Sequence, residues 1–146
     1  MASVNPYLNF AGTCAEAFDF YKSVFGGEFD TVMKFSDVPA EAGAPADPAL
    51  ADQIMHMSLP LGDSTLMGSD VPAEMGTVTT GSSTYICVSP DTVDEARQAF
   101  ERLTEGGSVE MPFDRQFWGD YFGSCEDRYG IKWMIDLADP ETEQPA

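Results

Sequence analysis

The sequence is poor in positive charge and has no long apolar runs. Its 146 residues include 25 Asp and Glu against 7 Lys and Arg, so the formal net charge is −18. A surface this negative repels phosphate groups, so neither nucleic acid nor an anionic membrane is an expected partner. No apolar run approaches the roughly 18 residues of a membrane span, and no basic-then-apolar segment precedes Val4 as in a secretion signal.

Cysteine and histidine are also scarce. Cys14, Cys87 and Cys125 are an odd number without paired or metal-like spacing, which predicts reduced, buried thiols in a cytoplasmic protein. His56 is the sole histidine. Two interpretations of the acidity stay open: an ordinary acidic cytoplasmic protein, or adaptation to high intracellular salt that screens the repulsion between carboxylates.

A pattern repeated at an offset of 79 positions is the most informative feature that is present. Thr13 with Glu16, and Thr92 with Glu95, match the Thr-x-x-Glu capping box of a helix start. The apolar residues behind each box are spaced to share one helix face: Cys14, Ala17, Tyr21 and Val24, then Val93, Ala96, Phe100 and Leu103. Glycine pairs at 26–27 and 106–107 then indicate helix ends.

Short segments rich in β-branched and aromatic residues flank both predicted helices. In the first half they are Val4–Phe10, Glu28–Phe35, Gln53–Leu59 and Ser64–Gly68; in the second they are Ser83–Val88, Ser108–Phe113, Phe117–Glu126 and Ile131–Leu137. Each half is therefore predicted to contain one strand, one helix and then three strands, which is an α+β pattern. Because about 70 residues make a small core, we expect one domain of two paired βαβββ modules over residues 1–146. The modules span about 1–70 and 82–137, with a join at 71–81 and a tail at 138–146.

The segment Ser36–Asp52 interrupts this pattern. It contains three prolines and six alanines and shows no apolar periodicity, which predicts a long loop between strands. Loops of this length in compact domains are usually functional lids or disordered links. We expect either a mobile flap near a pocket or such a link.

Four stretches resemble the vicinal-oxygen-chelate superfamily, and more narrowly its PhnB-like branch, grouped with glyoxalase and bleomycin-resistance proteins. They are PYLNFAG at 6–12, EAFDFYKSVFGGE at 16–28, IMHMSLPLGDSTLMGSD at 54–70 and FWGDYFGSCEDRYGIKWMI at 117–135. The resemblance covers nearly the whole chain and implies paired βαβββ modules whose curved mixed sheets enclose a cavity. It also implies a homodimer. It does not choose among the metal-dependent lyases, dioxygenases, thiol transferases and metal-free binding proteins of this superfamily.

Enzymes of this superfamily typically hold a divalent metal with four His or Glu side chains. The resemblance places these four positions at Pro6, His56, Tyr85 and Met134. Proline has no donor, a protonated phenol is a poor ligand, and a thioether is too soft for the metals of this chemistry. We therefore expect no metal and no other cofactor. A displaced divalent metal site near His56, built with acids such as Glu126 or Asp136, remains the alternative.

Aromatic residues concentrate in the second half, and several lie on segments that the resemblance places around the cavity. We expect them to bind a small, planar or hydrophobic organic molecule, although burial in the core is the other explanation for each aromatic. The candidate ligand-binding residues are His56, Tyr85, Trp118, Tyr121, Trp133 and Met134. His56 has three open roles: a hydrogen-bonded wall residue, a ligand-binding or proton-transferring residue, and a metal ligand.

No catalytic residue can be assigned from the sequence. No glycine-rich loop follows a strand, so the methyltransferase activity attached to some PhnB-like proteins has no support here. The favoured function is a metal-free protein that binds a small organic molecule in an aromatic-lined cavity. The alternative is a metal-dependent lyase, dioxygenase or transferase of the same superfamily.

Overall fold

The computed structural model describes residues 2–42 and 48–139 and divides the chain into two compact units, residues 1–79 and 80–146. Each unit has the order strand, helix and three strands, so the α+β class and the two βαβββ modules are confirmed. The boundary between the units falls inside the predicted join at 71–81. No helix in the described part of the chain combines the length and apolar character needed to cross a membrane.

The first unit is a four-stranded sheet with one helix. Its elements are β1 (Tyr7–Phe10), α1 (Cys14–Phe25), β2 (Thr31–Lys34), β3 (Ile54–Leu61) and β4 (Ser64–Asp70). The strand order is β1-β4-β3-β2. β1 runs parallel to β4, whereas the other neighbours are antiparallel, so the sheet is mixed.

The second unit repeats this arrangement. Its elements are β5 (Ile86–Val88), α2 (Val93–Thr104), β6 (Ser108–Arg115), β7 (Asp120–Glu126) and β8 (Lys132–Ala138). The strand order is β5-β8-β7-β6, with β5 parallel to β8 and the other pairs antiparallel. In the turn between β7 and β8, Asp127 accepts two amide hydrogen bonds and Gly130 takes a φ of 86°.

The two helices begin differently, although their sequences match. Thr92 caps α2 by accepting a hydrogen bond from the Glu95 amide. Thr13 makes no side-chain cap, so the predicted first capping box is wrong. Asp70 replaces it: its Oδ1 accepts hydrogen bonds from the amides of Gly12 and Cys14. A buried carboxylate is a stronger acceptor than a hydroxyl, which explains why the distant residue caps the helix.

Most of the residues predicted to form the apolar helix faces are buried, so the faces are confirmed. α1 buries Cys14, Ala17, Phe18 and Tyr21, and α2 buries Ala96, Ala99, Phe100 and Leu103. The prediction that all three cysteines are buried is wrong for Cys87, which is exposed; all three are free thiols. Cys87 is exposed because its strand points it away from α2.

The segment predicted as one long loop contains regular structure. Short 3₁₀ turns form at Phe35–Asp37, Ala40–Ala42 and Pro48–Leu50, and Phe35 is buried. Part of the predicted flap, residues 43–47, lies outside the described residues. Its role as a lid remains a prediction.

Candidate ligand-binding site

Each sheet has one face packed against its helix and one face that points away from it, here called the helix-free face. In the first unit, a Cβ added to Gly68 would lie 2.6 Å from Cε1 of Phe18 in α1, so Gly68 faces the helix. Its neighbour Met67 therefore points to the opposite side, because successive strand residues alternate. Met67 pairs with Tyr7 of β1 and with Ser58 of β3, and these residues share the helix-free face with His56.

His56 is held on that face by Tyr7. The Tyr7 hydroxyl lies 3.2 Å from Nδ1 of His56, and the two rings are nearly parallel at 25°, with centroids 5.7 Å apart. Tyr7 is 45% exposed. The sequence analysis did not single out Tyr7, because the family resemblance placed the relevant position at Pro6, one residue earlier. The alternation of exposed Tyr7 and Asn9 with apolar Leu8 and Phe10 is the signal that indicates it.

The helix-free face of the second unit is defined in the same way. A Cβ on Gly123 would lie 2.9 Å from Cε2 of Phe100 in α2, so Gly123 faces the helix. The neighbours of Gly123 on β7, Phe122 and Ser124, therefore face away. Phe122 pairs with Asp136, and Ser124 pairs with Met134, which in turn pairs with Cys87. The exposed ring of Trp118 contacts Phe122 edge-on at 6.1 Å between centroids.

A charged cluster occupies the end of this face nearest the start of β8. Glu110 of β6 accepts a 2.9 Å hydrogen bond from the Tyr85 hydroxyl and forms an ion pair with Lys132. The Lys132 ammonium lies 5.3 Å from the centroid of the Tyr85 ring. Hydrogen bonds from Lys132 and Tyr85 lower the pKa of Glu110, and the hydrogen bond to Glu110 raises the pKa of Lys132. Sequence reasoning missed Glu110 and Lys132, because only the strand register brings them together.

An acidic pair occupies the other end of the face. Burial and the neighbouring Asp120 raise the pKa of Asp136, and its buried Oδ1 has no hydrogen-bond partner among the residues that the structure describes. Burial, followed by the charge of Asp136, raises the pKa of the Cys87 thiol. Two carboxyl groups this close resist simultaneous ionisation.

The six predicted site residues do not all share one surface. Tyr85, Trp118 and Met134 lie on or beside the helix-free face of the second unit, and His56 lies on that of the first. Trp133 is 1% exposed and donates its indole N–H to Oδ2 of Asp127 at 2.9 Å. Tyr121 stacks on Phe113, whose ring also contacts Phe100 of α2.

Tyr121 and Trp133 therefore lie on the helix side of their sheet, apart from the other predicted site residues. Met134 directly follows Trp133 on β8, so the two side chains must point to opposite faces. Arg115, at the end of β6, forms an ion pair with Asp139 at 2.6 Å.

The residues at the expected metal positions do not fit a divalent ion. His56 uses Nδ1 for Tyr7, Tyr85 uses its hydroxyl for Glu110, and Met134 offers only a thioether. Among residues 2–42 and 48–139, no group of three or more His, Cys, Asp or Glu could hold a metal.

Comparison with known proteins agrees with this architecture. The sequence profile of the Glyoxalase/Bleomycin resistance protein/Dioxygenase superfamily matches residues 3–135. The chain belongs to this superfamily. The crystal structure of protein PA1353 from Pseudomonas aeruginosa is 36% identical and covers 95% of this chain and 99% of its own, with a TM-score of 0.84.

Two further superfamily relatives align over almost their whole length. Protein YjdN from Escherichia coli strain K12 is 27% identical over 151 residues, covering 97% of this chain and 99% of that protein. The structure of the PhnB protein from Bacillus cereus is 23% identical with a TM-score of 0.75, and it covers 94% of this chain and 100% of its own. The resemblance to the superfamily is thereby confirmed, and the shared fold leaves the chemistry open.

Proposed function

We propose that this superfamily member binds a small organic molecule against the helix-free sheet faces without a metal ion. The observation that supports this most directly is which residues occupy the four positions where enzymes of the superfamily carry metal ligands. Pro6 and Met134 offer no suitable donor, and the Tyr85 hydroxyl is hydrogen-bonded to Glu110. Nδ1 of His56 is hydrogen-bonded to Tyr7, so Nε2 of His56 is the one remaining donor among the four positions.

The composition of the faces supports an organic ligand. On the helix-free face of the second unit, Trp118, Phe122 and Met134 offer aromatic and polarisable surface. On that of the first unit, Met67 lies on the same face as the polar groups of Tyr7 and His56. Small-molecule sites in proteins combine these properties, with apolar contact supplying affinity and a few polar groups fixing orientation. Trp133 and Tyr121 are not needed in this proposal, because their rings pack on the helix side.

The alternative is a metal-dependent lyase, dioxygenase or transferase with a displaced site near His56. Equilibrium dialysis against nickel, manganese, zinc and iron separates the two functions. We expect no stoichiometric retention of any of them. Retention of one metal ion per chain that is lost in His56→Ala would overturn the metal-free proposal.

Ligand binding is tested with the neutral aromatic dye Nile red, whose fluorescence rises in an apolar environment. We expect saturable binding that weakens about tenfold in Met134→Gln, because the substitution places an amide on the apolar face. Met75→Gln is the matched control, since Met75 is 68% exposed in a short 3₁₀ turn. Equal affinity of both variants and the parent protein would contradict a site at Met134, provided that all three melt at the same temperature.

We also propose that the chain forms a homodimer. Exposed apolar side chains lie on the edge strands β2 and β6, among them Val32, Val109 and Met111. Salt should favour association, because it screens the net charge of −18 on each chain. Sedimentation velocity at low and at molar KCl tests this, with Val109→Glu expected to dissociate and Val4→Glu, at an exposed site outside the strands, as control. Monomer alone at both salt concentrations would refute the dimer.

A cytoplasmic location is proposed on the basis of the three free thiols. Reducing compartments favour unpaired cysteines, including an exposed one such as Cys87. Cell fractionation with an antibody to the chain checks the location, and recovery from an oxidising compartment would contradict it.

A further inference from the structure

We infer that His56 presents Nε2–H as a hydrogen-bond donor to the bound molecule, that Tyr7 fixes this tautomer, and that the ligand carries an uncharged hydrogen-bond acceptor. This inference rests on the proposed function for the ligand. The tautomer itself is a property of the free protein.

The geometry limits the roles of the two ring nitrogens. The Tyr7 hydroxyl oxygen lies 3.2 Å from Nδ1 of His56, so one of these atoms donates and the other accepts. A phenol is a stronger acid than the N–H of neutral imidazole, and the bare imidazole nitrogen is a stronger base than a phenolic oxygen. The hydroxyl therefore donates and Nδ1 accepts. In the neutral ring the proton must then be on Nε2.

The donor on Nε2 is left available. Within the described residues of the first unit, His56 forms no hydrogen bond besides the one with Tyr7. The near-parallel contact with the Tyr7 ring limits rotation of the imidazole, so the direction of Nε2–H is fixed before a ligand arrives. A preoriented donor beside apolar surface selects an acceptor at a defined point of the ligand, because binding costs less ordering.

The charge of the unit selects against an anionic acceptor. Residues 1–79 contain 11 acidic residues, no arginine and two lysines. Lys22 is paired with Glu28 beside α1, and Lys34 lies exposed at the end of β2. A carboxylate or phosphate at His56 would therefore enter the negative field of the first unit without a matched cation from the described residues of that unit, whereas a ketone, amide or ring nitrogen would not carry a charge into it. The acceptor is an uncharged group on a planar or apolar molecule.

Nitrogen NMR tests the tautomer without a ligand. Because the chain has one histidine, two-bond ¹H–¹⁵N correlation of the labelled protein reports His56 alone. At a pH where the ring is neutral, we expect Nε2 to be protonated and Nδ1 unprotonated. Tyr7→Phe keeps an aromatic ring but removes the hydroxyl, so the two tautomers should mix, while Tyr129→Phe should leave the spectrum unchanged. A protonated Nδ1 in the parent protein, or an unchanged spectrum in Tyr7→Phe, would overturn the inference.

Three matched probes test the ligand class: 2-acetylnaphthalene, 2-ethylnaphthalene and 2-naphthoate. All three contain the naphthalene ring. The ketone carries a neutral hydrogen-bond acceptor, the hydrocarbon carries no acceptor and naphthoate carries an anionic one. We expect the ketone to bind roughly tenfold more tightly than the other two and to shift the Nε2 resonance. Equal affinity of the ketone and the hydrocarbon, or tighter binding of naphthoate, would overturn the ligand class. Failure of all three to bind a protein with the expected tautomer would instead refute the proposed function.

Discussion

Trp133 donates its indole N–H to the carboxylate of Asp127 at 2.9 Å, and both residues are almost fully buried. The same carboxylate accepts the amides of Tyr129 and Ile131 and thereby shapes the turn between β7 and β8. The tryptophan therefore stabilises the second unit through one charge-assisted hydrogen bond as well as through its buried ring.

Trp133→Phe should lower the free energy of unfolding by about 2–3 kcal/mol, because it removes a hydrogen bond from a buried carboxylate and leaves space beside the smaller ring. Urea unfolding followed by circular dichroism measures this. Trp118→Phe is the control at a half-exposed site and should change stability by less than about 0.5 kcal/mol. Equal losses in the two variants would show that the Asp127 contact contributes little.

Asp70 has the corresponding role in the first unit. Its two carboxylate oxygens accept amide hydrogen bonds from Gly12, Cys14 and Ile54 at 2.9–3.0 Å, and the residue is 4% exposed. Asp70→Asn should cost about 3–5 kcal/mol of stability, because an amide cannot accept at both oxygen positions. Differential scanning calorimetry measures the loss, with Asp63→Asn in the exposed turn before β4 as control. If the two asparagine variants melted together, the capping role of Asp70 would be refuted.

The difference between Thr13 and Asp70 shows what the sequence can predict. The helix faces and the glycine pairs at the helix ends depend on neighbouring residues, and the sequence predicts them well. The cap of α1 comes from a carboxylate 56 positions beyond Cys14, so a local motif cannot reveal it. Thr13 has a hydroxyl that could cap α1, but the distant carboxylate of Asp70 accepts the amide hydrogen bonds instead.

The candidate site was predictable to a similar degree. Strand alternation, which can be read from the sequence, separates Trp133 from Met134 and associates Tyr7 with the helix-free face. The contact between Glu110 and Lys132 was not predictable, because the register of β6 on β7 shifts twice along the strand.

The raised pKa of Asp136 predicts an unusual dependence of stability on pH. Its pKa in the folded protein is raised above the usual value of an aspartate, first by burial and then by Asp120. The folded state therefore holds the proton of Asp136 more tightly than the unfolded state, and this group destabilises the fold as pH rises from about 4 through the folded pKa. Asp136→Asn removes the charge, so it should stabilise the protein at neutral pH and lose this advantage as the pH falls below about 4.

Urea titrations at several pH values measure this difference. The expected gain at neutral pH is up to about 1 kcal/mol, typical of relieving a like-charge pair on a sheet. Asp91→Asn, at an exposed position before α2, should show no such pH dependence. A gain for Asp136→Asn that is equal at all pH values would contradict the assigned cause.

Cys87 should be the one thiol that reacts in the native protein. It is exposed, whereas Cys14 and Cys125 are buried, and burial followed by the charge of Asp127 raises the pKa of Cys125 to about 12. Ellman's reagent should therefore modify one thiol per native chain and three after denaturation. Cys87→Ser should abolish the native reaction.

The rate of that reaction reports the surroundings of Cys87. Its pKa is raised above the usual value of a thiol, so only a small thiolate fraction exists at neutral pH and the rate should keep rising above about pH 9. Asp136→Asn should accelerate the reaction severalfold at neutral pH, because it removes the negative charge that opposes thiolate formation. Asp91→Asn should leave the rate unchanged. An unchanged rate in Asp136→Asn would show that the charge of Asp136 does not act on the thiol.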